Sequence, residues 1–302
     1  MLGRFCLSLV LLSVSAAAVA QPAERVVTGD GIVAATVNGA PARLRIDPAA
    51  PALPIFTAPF ATEQARLRAG PFAFAYLVGP QQVPGRSAVG RIAVGEGGRP
   101  RKRRIGWAER PYLTGAEGVI GPGGLPENVV RFVLRPSLPG ERTVALPLED
   151  EGGLLGGWGG SYALVPLGGE TLRVRFNPHE PRTLATAGAA VRLANVHAGT
   201  VSGESAPAHI AFGISRPVRT LRLGTPFAVG PLALSELGVR TADFGTADGI
   251  REEGGDPDEV VVTGDRGRNR NRDRLSIGAD LLRTCSVIVF DKRRREVRLT
   301  CA

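Results

Sequence analysis

Lysine is nearly absent from this chain. Of 37 basic residues only Lys102 and Lys292 are lysines, so the formal charge of +9 is carried by arginine. Arginine beside abundant alanine, glycine and proline fits GC-rich codon usage better than selection for a polyanion. Aromatic residues make up 5% of the chain. None interleaves with the basic runs "RPRKRR" (99–104), "RGRNRNRDR" (266–274) and "KRRRE" (292–296), so the stacking platforms that single-stranded nucleic acid needs are missing. These runs read as solvated turns, and no nucleic-acid partner is expected. Weak attraction to anionic envelope surfaces stays open. The three histidines, His179, His197 and His209, are 18 and 12 residues apart. That spacing suits neither a helical nor a hairpin ligand pair, so no metal and no cofactor are expected. A Gly-x-Ser-x-Gly elbow and a convincing triad are also lacking, which removes the serine-hydrolase class.

Long apolar runs are lacking too, with one exception. Arg4 is followed by "FCLSLVLLSVSAAAVA", which closes on small residues. This reads as a cleavable secretory signal over residues 1–20, cut near Ala20, and it is too short for a convincing span. A periplasmic or secreted protein without an integral span is expected. Removal of the signal takes Cys6 and leaves Cys285 and Cys301, an even count in an oxidising compartment. They bracket "SVIVFDKRRREVRLT", two β-rich runs around a charged turn,. Pairing Val287 with Leu299 sets the cysteines opposite each other, and a disulfide is expected.

Forty glycines and 24 prolines cut the rest into short segments in which Val, Leu, Ile and Phe alternate. That is an all-β pattern. It also repeats. "VNGAPARLRIDP" (37–48) aligns with "LGGETLRVRFNP" (167–178), matching Gly39 to Gly169, Arg43 to Arg173, Arg45 to Arg175 and Pro48 to Pro178. Helix-like stretches follow at 61–67 and 185–194, then "RIAVG" (91–95) against "LRLG" (221–224). Each copy closes on an Ile-Gly turn, a short helix and a hairpin: "GVIGPGGL", "VVRFVL", "RTVALPL" against "LSIGADLL", "SVIVFD", "REVRLT". An internal repeat in conserved order implies two related lobes.

The expected organisation is a signal (1–20), an N-terminal segment (21–33), a first lobe (34–148), a glycine-rich linker (149–164) and a second lobe (165–302). The second lobe carries a low-complexity insertion at 245–274,. Inside it "DEVVVTGDR" looks like the TonB-box segments of some outer-membrane receptors, although a short edge strand is the plainer reading. The linker lacks the strand-loop-helix setting of a phosphate cradle.

Strand, Asp, turn, short helix, flap-like hairpin, apolar-Gly turn, helix and hairpin: this order, given twice, resembles the pepsin and retropepsin family of aspartic proteases. It is most similar to bacterial exported members with two lobes in one chain, over roughly residues 34–302. The resemblance implies a bilobal fold of two β-barrel-like lobes with short helices, and a peptide-binding cleft between them. It places Asp47 and Asn177 at the two catalytic aspartate positions. The family mechanism needs two carboxylates sharing one proton, since like charges about 3 Å apart cannot both ionise. Asn177 cannot take a proton from water. Where the family writes Thr-Gly after each aspartate, this chain has Pro48-Ala49 and Pro178-His179. Proline has neither a hydroxyl nor a backbone N–H, and glycine's close approach is lost at Ala49 and His179.

The expectation is an exported, catalytically inactive aspartic-protease-like protein. Its cleft would take an extended peptide or envelope component, with Pro48, Ala49, Pro178, His179 and Tyr76 as cleft candidates. Two alternatives stand. One is an active, atypical aspartic peptidase using Asp47 with a second group, for which His179 is a candidate acid-base partner. The other is a structural periplasmic protein with a closed cleft. Asp47 also has a plain reading as a turn initiator whose carboxylate accepts local N–H groups. Trp107 and Trp158 read as packing residues. The oligomeric state is not readable.

Overall fold

The computed structural model describes residues 24–150, 159–243, 245–247, 249–254 and 272–302. The apolar N-terminal run, Trp158 and the segment 258–266 lie outside these residues.

The chain is mostly β. Its first half contains β1 (Glu24–Thr28), β2 (Ile32–Val37), β3 (Ala40–Ile46), β4 (Ile55–Thr57), β5 (Ala73–Val78), β6 (Gln81–Val94), β7 (Arg101–Ala108), β8 (Gly118–Ile120), β9 (Val129–Val133) and β10 (Arg142–Asp150). The second half contains β11 (Ser161–Leu167), β12 (Glu170–Phe176), β13 (Leu184–Ala185), helix α1 (Ala187–His197), β14 (Thr200–Ala211), β15 (Ile214–Val229) and β16 (Leu232–Arg240). Three two-residue strands follow, β17 (Ala242–Asp243), β18 (Gly245–Thr246) and β19 (Arg251–Glu252). The chain then forms β20 (Arg274–Ile277), helix α2 (Ala279–Leu282), β21 (Cys285–Asp291) and β22 (Glu296–Cys301). The helix-like stretch at 61–67 is one helical turn, Phe60–Gln64, whereas its counterpart is the full α1.

The two halves use one set of pairings. Hairpin β2–β3 corresponds to β11–β12. Each turns on a pair of positive-φ residues, Asn38-Gly39 (49° and 88°) and Gly168-Gly169 (58° and 79°), the conformation that favours Asn and Gly in two-residue hairpin turns. The second strand of each hairpin then pairs in parallel with a distant strand, β3 with β8 and β12 with β20. A short strand lies antiparallel to that distant strand and parallel to another, β4 between β8 and β7, β13 between β20 and β16. Long hairpins β5–β6 and β14–β15 complete each unit.

The halves differ in closure. β2 also pairs with β6, closing six strands into a barrel with β5 outside it. Among the described residues no equivalent pairing closes the second half. The terminal strands interleave: β21 pairs with β9, and β22 with β10. A 13-stranded sheet therefore runs from β1 through β9, β21, β22 and β10 into the second half. The segment 149–164 is narrower as a connection than its composition suggests, because Glu149 and Asp150 pair with Tyr162 and Ser161.

One apolar cluster runs from Val27 to Cys301 through both halves. A smaller one, around Leu53, Ile55 and Val119 of the first half, takes in Ala211, Phe212 and Ile214 from the tip of the β14–β15 hairpin. Cys285 and Cys301 face each other across β21–β22 and are disulfide-bonded, with Cα atoms 3.8 Å apart. The expected register is one residue out. A bulge at Ser286 sets Val287 opposite Thr300 and Ile288 opposite Leu299, since a bulge puts an extra residue on one strand. The run 99–104 is also not a turn. Arg101 onward forms β7, and Arg103 donates from its guanidinium to the carbonyls of Gly124 and Ala52. Trp107 is core. Among the described residues no helix is long and apolar enough to cross a membrane.

Candidate functional site

The two proline turns are built alike. Asp47 ends β3 and its N–H donates to the carbonyl of Ile120, at 3.0 Å. Asn177 ends β12 and its N–H donates to the carbonyl of Ile277, at 2.8 Å. Ala50 N–H closes the first turn on Asp47 O, and Glu180 N–H closes the second on Asn177 O, both at 3.1 Å. Each polar side chain then accepts from the backbone two residues on, Asp47 Oδ1 from Ala49 at 2.7 Å and Asn177 Oδ1 from His179 at 3.2 Å. The proline between cannot donate, so the side-chain oxygen turns to the next N–H along, as Asx turns do. The glycine of each Ile-Gly turn meets this loop closely. A Cβ on Gly121 would stand 2.1 Å from Ala50 O, and one on Gly278 2.5 Å from the carbonyl carbon of Arg182.

Both turns open onto one cleft of about 660 Å³. Asp47 is buried and Asn177 half-buried. Alternation along β3 and β12 carries Arg45 and Arg175, two residues earlier on the same faces, into the cleft beside them,. Pro48 and Ala49 are buried beneath the first turn. Pro178 instead faces a separate 260 Å³ hollow against β1 and β9, which His179 also borders. Of the cleft candidates, Asp47, Asn177 and His179 converge, Tyr76 borders a smaller cavity that Asn177 also lines, and Pro48, Ala49 and Pro178 support the turns.

Tyr76 comes down from β5 into an aromatic cluster. Its ring lies 5.7 Å from Tyr112 and 5.1 Å from Phe212, and the latter two are 5.0 Å apart. Phe212 sits at the tip of the β14–β15 hairpin, where its N–H donates to Tyr112 O at 3.2 Å. Two hairpin tips thus cross between the halves. The other belongs to β5–β6, where a Cβ on Gly79 would lie 2.5 Å from Asp243 Oδ1.

The electrostatics tie these groups together. Burial pushes the Tyr112 phenol well above its usual range, with Tyr76 and the Asp47 charge adding to the rise. Burial would raise Tyr76 as well, but Arg175, the Tyr112 hydroxyl and Arg274 outweigh it and hold Tyr76 below its ordinary value. His179 is pushed down by the burial of part of its ring and by Arg45, against the pull of Asp47 and Asp30. The neutral ring is therefore favoured, with one nitrogen able to accept a hydrogen bond or a proton and the other donating a hydrogen bond. Burial raises Glu180 to about 7, against Arg175.

Of the expected site residues, Asp47, Asn177 and His179 line this cleft. Arg45 and Arg175 were visible as repeat matches without an assigned role. Tyr112, Phe212 and Glu180 carry no motif; for Phe212 the only signal is its place at the centre of a hairpin turn. His209 lines the cleft with His179, but among the described residues no group of three potential ligands could hold a metal.

No protein-family model matches the chain, and no curated protein matches it in sequence. What the site can do is therefore argued from its geometry.

Proposed function

We propose that this chain is an exported, bilobal protein of aspartic-protease-like fold that has lost its proton-sharing dyad and binds an extended peptide segment in its cleft. The observation that carries this reading is the equivalence of the Asp47 and Asn177 turns, each ending a hairpin strand beside a parallel partner and both opening onto the same 660 Å³ cleft. An amide at the second position can hydrogen-bond but cannot share a proton. β5 supports the binding half of the reading. Among the described residues it is an edge strand paired with β6 alone, and an edge offers unpaired N–H and C=O groups to an added peptide strand. The apolar run at residues 1–20 supports export to the periplasm or beyond.

A second reading is favoured by one observation. Phe212 and the tip around it are packed into the first half, as in a structural protein whose cleft stays closed.

One experiment separates these readings. The mature chain, residues 21–302, is incubated with a diverse peptide library, and both retention and cleavage are followed by mass spectrometry. Retention of intact peptides is expected. Cleavage that disappears in Asp47→Ala would establish an active peptidase, and neither retention nor cleavage would favour the structural role.

A further inference from the structure

A smaller cavity, about 120 Å³, opens behind Tyr76 where β5, β12, β16 and β20 meet. On this measure one water needs about 10–15 Å³, so the space suits a group of several heavy atoms. Its charged lining is lopsided. Among the described residues, Arg175, Arg240, Arg272 and Arg274 face it, with Asp243 and Glu180 as the acids.

The two acids offset part of that charge. Asp243 Oδ1 accepts from Arg240 at 2.8 Å. Glu180, pushed up to about 7 by burial, is half protonated at neutral pH. Arg175 and Arg274 form no ion pair among the described residues, and Arg175 shares a hydrogen bond with the Tyr76 hydroxyl. Arg175 Nε donates to the Ser276 hydroxyl at 3.2 Å, and Arg274 packs over the Tyr162 ring at 5.2 Å. Among the described residues, Nε of Arg240 and Nε of Arg274 are buried without a hydrogen-bond partner. A guanidinium carries five N–H donors in a rigid fork suited to two oxygens at once. Buried charge without a counter-charge is costly. Ser276 and the Thr186 hydroxyl also line the space.

We propose that this cavity binds an oxyanion group, a carboxylate or a phosphate, held between Arg175, Arg240 and Arg274. Asn177 and Glu180 line both the cavity and the larger cleft, so an acidic group on a cleft-bound peptide can reach it. This part of the inference rests on the cleft-binding reading, while the anion site itself does not. The shared chemistry has two sources, a free anion and a peptide carboxylate.

The test uses the mature chain with inorganic phosphate and with succinate, against chloride at matched ionic strength. Thermal shift and calorimetry report binding, and phenylglyoxal labelling reads arginine accessibility. The expected result is saturable stabilisation by phosphate or succinate, with protection of Arg175, Arg240 and Arg274 from labelling. In Arg274→Gln the affinity falls at least about tenfold, the value of one lost charged hydrogen bond. Arg272→Gln, at an exposed position, covers the case in which Arg274→Gln fails to fold, and is expected to weaken binding several-fold. Stabilisation no greater than that by chloride would overturn the proposal, and so would anion binding that leaves all three arginines equally labelled. A peptide with a free acidic end displaced by phosphate identifies the peptide carboxylate as the source; phosphate bound alongside it identifies a free anion. Peptide retention that persists without any anion effect removes this site and leaves the cleft reading standing. Anion binding without peptide retention does the reverse.

Discussion

The backbone N–H of Phe212 donates to the carbonyl of Tyr112 at 3.2 Å, which fastens the hairpin tip of one half to a loop of the other. Phe212 is 1% exposed and touches both Tyr76 and Tyr112. Phe212→Ala is expected to cost about 3–5 kcal/mol, the usual penalty for emptying a buried aromatic site. Urea unfolding would measure it. A loss below about 1 kcal/mol would mean the tip is an optional contact.

Restoring the missing acid should not restore hydrolysis. Asn177→Asp puts a carboxylate opposite Asp47, but Pro48 and Pro178 still offer no N–H or hydroxyl to hold the pair, and Asp47 Oδ1 remains bound to Ala49 N–H. A misplacement of about 1 Å can cost on the order of a hundredfold. The peptide-library assay on Asn177→Asp reads this directly. Turnover absent in the parent and present in the variant would show that the turns position the acids well enough.

Glu180 sets a pH dependence. Burial raises its carboxyl from 4.5 to about 7, with Arg175 opposing and Asp280 adding to the rise. The folded state therefore holds this proton more tightly than the unfolded chain, so its contribution to stability falls as pH rises from about 4.5 to about 7. Glu180→Gln should flatten that part of the profile. Melting temperatures across the window, parent against variant, decide the matter, and parallel profiles would clear Glu180 of the effect.

The Cys285–Cys301 bridge spans 16 residues. Loops of that size stabilise by about 3 kcal/mol in the chain-entropy account. Reduction, or the double change Cys285→Ser with Cys301→Ser, should lower the urea midpoint accordingly. Thiol labelling of the unreduced mature protein should find no reactive cysteine.

Much of this was legible one strand at a time. The repeat was written in local terms, a Gly at each hairpin turn, an alternating strand and a polar-Pro stop, and the pairing pattern follows it through β8 and β20. The bulge at Ser286 was not, because period-2 alternation fixes a strand's faces but does not announce an extra residue. Arg101–Arg104 misled for a related reason: charge suggested a solvated turn, while the backbone runs on as β7 with Arg103 tied to carbonyls. The arginine cavity was the least legible feature. Its side chains come from residues 175, 240 and 274, and no local pattern brings them together. The same is true of Phe212, whose burial depends on a partner a hundred residues earlier.

The placing of β21 and β22 bears on when the molecule becomes whole. These strands, residues 285–301, lie between β9 and β10, which the ribosome has delivered about 150 residues before. Until the last hairpin arrives, both edges stay open. Open edges recruit other strands, including those of a second chain, and pairing over such sequence distances is slow. A chain shortened by its final hairpin would lose two strands from the middle of a sheet, not a tail from its rim. Assembly thus has a late step at its centre, and the disulfide that staples β21 to β22 can prepare that hairpin as one unit before it is inserted.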